Sequence, residues 1–160
     1  MPDMRQKPSL RAVLIAGTLG QTAFEIYAWL FSPFLFGVTL EPSKLIVALI
    51  GLRLGIEVPY ALGFALHAAI GIFGFTAAVL TIYWFLQTRL MMAGLISGVI
   101  LWFIAQGTLA PLVGRSFMMG LGPYTQSSFV GHVMMTLIIA YFLKKLSTLT
   151  EQSSNNKGFG

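Results

Sequence analysis

Four long apolar blocks, separated by short basic or turn-rich stretches, set the pattern of this chain. The most uniform is PYALGFALHAAIGIFGFTAAVLTIYWFLQT, residues 59–88, which carries no formally charged side chain at neutral pH and is closed by Arg89. About 20 apolar residues are needed to cross a bilayer as a helix. The pattern therefore predicts spans at about residues 11–36, 59–88, 90–112 and 127–143. Between the first two lies LEPSKLIVALIGLRLGIEVP, residues 40–59, where Pro42 suits a helix start. Its apolar run from Leu45 to Leu52 is too short to cross, so a short interfacial or shallow re-entrant helix is expected, held by Lys44 and Arg53. Pro111, Gly114, Gly120, Gly122 and Pro123 mark a loop before the fourth span. Lys144 and Lys145 stop that span, and the polar tail, residues 147–160, is expected to be disordered. The expected fold is all-α: one four-transmembrane-helix bundle over residues 1–146. The amino terminus has the basic flank of a signal peptide, but its largely apolar run continues past Glu25 to about Leu40, so it is expected to be retained as the first span.

Composition agrees. Of 160 residues, 56% are hydrophobic and 9% charged, against about 25% charged in soluble domains. The net charge of +5 is spread between the apolar runs, which argues for a bilayer as partner and against nucleic acid. Arg5, Lys7, Arg11, Arg89, Lys144, Lys145 and Lys157 fall on one side of the predicted topology, and Lys44, Arg53 and Arg115 on the other. By the positive-inside rule both termini are expected in the cytoplasm. Cysteine is absent, which excludes disulfides, thiolate metal sites and covalent c-type haem.

The polar residues inside the blocks carry the chemistry. Gln21 and Glu25 lie in the first span, His67 in the second, Gln106 in the third and His132 in the fourth. At a rise of 1.5 Å per residue, Glu25 lies roughly 16 Å above the inner edge of the bilayer core and His67 roughly 18 Å above it. Gln106 and His132 fall somewhat nearer the outer surface, so all four helices place a polar group in the middle-to-outer half. Thr18, Gln21, Thr22 and Ala28 share the Glu25 face, which suits a helix contact better than lipid. A carboxylate near mid-membrane costs about 2.5–3.5 kcal/mol on insertion scales, and it pairs or protonates. His67 is its expected partner. The pair either responds to protons or only fixes helix register. Gly63, His67, Gly71, Gly74 and Ala78 recur at helical spacing, and Gly17, Gly20, Gly94, Gly98 and Gly131 supply small positions for helix packing.

Two histidines without cysteine also admit haem b, with His67 and His132 as candidate iron ligands; no other cofactor or metal is expected. The doublets Met91–Met92, Met118–Met119 and Met134–Met135 lack a Cys or His-rich companion and read as packing. No phosphate-binding loop, G-x-S-x-G or H-E-x-x-H is present, so no reaction is implied. Residues 94–146, with Gly94, Gly98, Gln106, Pro111, Gly114, Pro123, Gly131, His132 and Lys144–Lys145, resemble the YagU-like group of bacterial inner-membrane proteins. An imidazole early in span two, as at His67, also looks like that group. The resemblance implies the same topology and a link to acid resistance. Three functions follow: a non-enzymatic membrane protein with a protonatable Glu/His/Gln network; an accessory subunit of a respiratory or photosynthetic complex, or a homo-oligomer, docked through its small-residue faces; or a haem b carrier.

Overall fold

A computed structural model describes residues 8–157, with side chains described through Ser147. Arg5, Lys7 and the side chain of Lys157, used above for orientation, lie outside the described residues, as do residues 158–160. Among the described residues the chain is helical, with no strand. Helix α1 covers residues 10–36, capped by Ser9, whose Oγ accepts from the Ala12 amide at 3.2 Å. Helix α2 is Pro42–Leu54, α3 is Tyr60–Phe85, α4 is Leu90–Leu112 and α5 is Pro123–Lys157.

Three helices are long and apolar enough to cross a membrane: α3, α4, and α5 between Pro123 and Ser147. The chain is therefore a multi-pass membrane protein, with its apolar helices against lipid. Helix α1 is long enough to cross but is diluted by Thr18, Gln21, Thr22 and Glu25, and it falls outside that set. Helix α2, at 13 residues, spans only about 20 Å. It begins at Pro42 as expected, and Lys44 Nζ sits 2.6 Å from Glu41 Oε2, which raises the Lys44 amine above its ordinary pKa.

Three boundaries differ from the sequence pattern. Helix α3 ends at Phe85, before a turn in which Gln87 takes a left-handed φ of 48°. Helix α5 starts at Pro123, because proline suits a first helical turn and the loop is shorter than its turn residues suggest. The same helix continues to Lys157, through most of a tail expected to be disordered. Extending a preformed helix needs no new nucleus, and Ser147 Oγ donates to Leu143 O at 2.8 Å in its first polar turn.

Helix α5 is the centre of the bundle. Helices α1 and α4 pack on it along their lengths, α3 closes against α1 and α4, and α2 lies against the start of α3. The buried core includes Ala16, Phe24, Tyr27 and Ala28 of α1, Val79 of α3, Ala93 of α4, and Met135 and Ile139 of α5. Glycine sets how closely these backbones approach. A Cβ at Gly94 would sit 2.8 Å from Thr136 O, one at Gly98 2.8 Å from Val133 Cα, and one at Gly20 2.5 Å from Ile139 Cγ1. Gly17 lies against Ile72 O, and Gly63 faces Ser43 O and Val47 of α2. A hydroxyl ladder ties α1 to α5: Tyr27 Oη lies 2.9 Å from Ser127 Oγ, which lies 2.6 Å from Ser32 Oγ.

Each of α1, α3 and α4 contains a π turn, at Tyr27–Phe31, Ile70–Phe75 and Ile104–Leu109. A π turn adds a residue and rotates the buried face beyond it. This corrects the place of Gly74 in a packing face: it is exposed, and a Cβ there would meet only Ile70 of its own helix. The buried face of α3 passes instead from Gly63 and Gly71 to Thr76, Val79 and Leu80.

The loop between α4 and α5 winds left-handed through Met118 (φ 49°), Met119 (φ 48°) and Gly120 (φ 65°), with Leu121 also at φ 57°. Thr125 Oγ1 donates to Met118 O, and Gln126 Nε2 donates to Leu121 O at 3.0 Å. Left-handed backbone costs a non-glycine residue roughly 1–2 kcal/mol. Met119→Gly is therefore expected to stabilise the protein by about 1 kcal/mol, read as a higher unfolding midpoint in detergent. A lower midpoint would mean that the Met119 side chain contributes more than its backbone strain removes.

Candidate functional site

The polar residues meet, in two groups on either side of Phe24. In the first, Gln21 Nε2 donates to Glu25 Oε1 at 2.7 Å. His67 Nδ1 lies 3.4 Å from Gln21 Nε2 and also 3.4 Å from Glu25 Oε1. Trp29 Nε1 donates to Glu25 Oε2 at 3.1 Å, so both carboxylate oxygens are held. Gln21 and Glu25 are one turn apart on α1, and Trp29 is one turn further, where the π turn begins its shift. Gly71 of α3 makes room for this arrangement, since a Cβ there would collide with Gln21 Oε1. The group sits at the edge of the bundle: the Glu25 side chain is 21% exposed and that of His67 12%. Thr18 and Thr22, expected on the same buried face, are exposed. Glu25 thus lies on the border between α1's packed side and its outer side.

The second group belongs to α4 and α5. His132 Nδ1 is 2.8 Å from Ser128 O, one turn earlier on α5. A carbonyl only accepts, so Nδ1 carries the proton and Nε2 is the acceptor of the neutral ring. Gln106 Nε2 donates to Ser128 Oγ at 3.1 Å, while Gln106 Oε1 is buried with no partner. Gln106 sits inside the π turn of α4, and both it and His132 are more than nine-tenths buried.

Phe24 joins the groups. Its ring centroid is 5.6 Å from that of His67 and 6.2 Å from that of His132, and its edge fills the notch left by Gly131. Both imidazoles also line one cavity of about 290 Å³. With Phe24 packed against both rings, haem ligation by this pair would require that ring to move, so the residues present fit a bis-histidine haem poorly. Among the described residues no cluster of three or more His, Asp or Glu could hold a metal ion.

No known protein family, curated protein or solved structure matches this chain. The assignment of function accordingly starts from the geometry. All five polar residues singled out from the pattern line one of the two groups. Sequence reasoning missed Phe24, Trp29 and Ser128. Ser128 and Trp29 each stand one helical turn from a singled-out residue, His132 and Glu25, and this spacing is a usable signal. Phe24 carries no mark in an apolar run, and only the packing shows its position.

Proposed function

We propose that this protein is a non-enzymatic, four-span protein of a bacterial inner membrane, with both termini cytoplasmic and α2 at the outer interface, whose Glu25–Gln21–His67 group responds to protons. One observation supports this most: His67 Nδ1 is equally distant, at 3.4 Å, from a donor on Gln21 and an acceptor on Glu25. With its proton on Nε2, the neutral ring accepts at Nδ1 from Gln21. The protonated ring carries hydrogen on both nitrogens and instead donates from Nδ1 to Glu25. One protonation event therefore exchanges the partner of the ring without any helix having to move far. Imidazole is the side chain that ordinarily changes charge between about pH 5 and 8. The other groups around it are the Trp29 indole on the far carboxylate oxygen and His132 across Phe24. π turns that begin just after Glu25 and His67 and that contain Gln106 favour a functional over a purely structural reading, since such turns are frequent at functional sites.

Trp29 is a built-in reporter. In a Trp84→Phe, Trp102→Phe background, its emission is expected to shift as pH falls from about 8 to about 5. Glu25→Gln should fold normally and lose that shift. A shift of equal size in Glu25→Gln would sink the proposal.

A further inference from the structure

The cavity of about 290 Å³ beside the second group is amphipathic. One wall is aliphatic, formed by Leu45, Ile46 and Leu49 of α2 and Leu101 and Ile104 of α4. At the other end stand His132, Gln106 and Ser128, with the rings of Phe24, Phe75 and Tyr124 around them. Phe75 lies 5.5 Å from the His132 ring, centroid to centroid. Helix α2 covers the aliphatic end and is anchored by the close contact of Gly63 with Ser43 O and Val47.

The polar end is short of hydrogen-bond donors. Ser128 O and Ser128 Oγ are engaged by His132 Nδ1 and Gln106 Nε2. Gln106 Oε1 has no partner, and His132 Nε2 is left as an acceptor. A buried acceptor without a donor is destabilising by about 1–3 kcal/mol, so Gln106 is expected to have a ligand or a structural reason to stay unpaired. Water would supply a donor, but the aliphatic wall offers it nothing, and apolar space of this kind is filled best by hydrocarbon. The volume is at the lower limit of small-molecule sites, which run from about 300 Å³.

We infer that the cavity between α2 and the Gln106–His132 group binds a neutral amphiphile with a hydroxylated aromatic head and an alkyl or prenyl tail. The head hydroxyl donates to Gln106 Oε1, the buried acceptor left without a partner, its ring packs among Phe24 and Phe75, and the tail runs along Leu45, Ile46 and Leu49 under α2. A cationic head is disfavoured, because no carboxylate lines the cavity to pair with it. His67 borders the cavity but the Glu25 carboxylate does not, and the probe's polar contact is on the α4–α5 group, so a failed probe experiment and a failed Glu25→Gln experiment are distinguishable.

The probe is 4-hexylphenol, with hexylbenzene as its hydroxyl-free counterpart, added to the full-length protein in lipid nanodiscs and read by saturable change in unfolding midpoint and tyrosine–tryptophan fluorescence. The expected result is saturable binding of 4-hexylphenol that is at least tenfold tighter than that of hexylbenzene. Gln106→Leu should remove that preference, bringing the phenol to the level of hexylbenzene. Leu45→Trp, which fills the aliphatic end without touching the polar one, should abolish binding of both; it keeps the test intact if Gln106→Leu folds poorly. Absence of saturable binding to wild type, equal binding of the two probes, or wild-type binding by Leu45→Trp would each overturn the assignment.

Discussion

Replacing Gly98 by leucine is expected to destabilise the protein by about 3 kcal/mol or more, the largest stability effect of any single change considered. Here α4 and α5 approach so closely that even a Cβ would lie 2.8 Å from Val133 Cα and 3.1 Å from His132 O, with Thr136 Oγ1 at 2.5 Å. Two of these atoms are backbone, which cannot rotate away, so the helices must separate. Thr136 Oγ1 also donates to His132 O at 3.0 Å, and separation would disturb the backbone that carries the His132 ring. Without a hydrophobic drive between helices in lipid, such close packing is a main source of their association. Unfolding midpoints in mild detergent should fall steeply for Gly98→Leu and far less for Gly74→Leu, because Gly74 faces outward. Similar losses at the two positions would contradict the packing described for α4 on α5.

Gly71→Ala is expected to have the largest effect on the polar group while leaving the fold in place. The added methyl would occupy the position of the Gln21 amide, with Gln21 Cδ at 2.7 Å and Met135 Cε at 3.0 Å. The far end of a glutamine can turn away where a backbone cannot. Turning away breaks the 2.7 Å bond to Glu25, a hydrogen bond to a charged group of a kind worth about 1.5–3 kcal/mol. It also removes the donor that faces neutral His67. The variant should therefore retain its helical circular dichroism, lose about 1–3 kcal/mol of stability, and show the same loss of the Trp29 pH response as Glu25→Gln. An unaltered response in a folded Gly71→Ala protein would show that Gln21 does not take part.

Much of the fold is legible in the sequence, because span length and charge punctuation are strong signals. Residues 90–112 are both the expected and the observed limits of α4, and α3 departs from its expected range by only a few residues. Arg89 and the Lys144–Lys145 pair mark ends of apolar runs, although helix α5 itself passes through the latter. The polar residues picked out from the four blocks do come together, Gln21, Glu25 and His67 in one group and Gln106 and His132, through Ser128, in the other.

What stayed hidden has several physical origins. A π turn leaves no mark in residue type, yet it shifts every later side chain, so a strict 3.6-residue period placed Gly74 inward when Thr76 and Val79 are the buried residues. Thr18 and Thr22 share a side of α1 with Glu25, ahead of the π turn, but that side lies at the edge of the bundle and leaves them exposed, which residue spacing does not show. The cavity was illegible because it depends on where α2 rests, and a short apolar helix carries no address in its own sequence.

The central claim is that His67 protonation is coupled through Glu25 to Trp29, and ¹⁵N magnetic resonance of the protein labelled at histidine and tryptophan tests it directly. When His67 takes up a proton, its Nδ1 signal is expected to change from that of an acceptor to that of a donor. The Trp29 indole N–H, held 3.1 Å from the same carboxylate, should move over the same pH range. In Glu25→Gln, the Trp29 signal should no longer follow His67. A His67 signal that does not change as pH is lowered, or a Trp29 signal indifferent to it in the wild-type protein, would contradict the account.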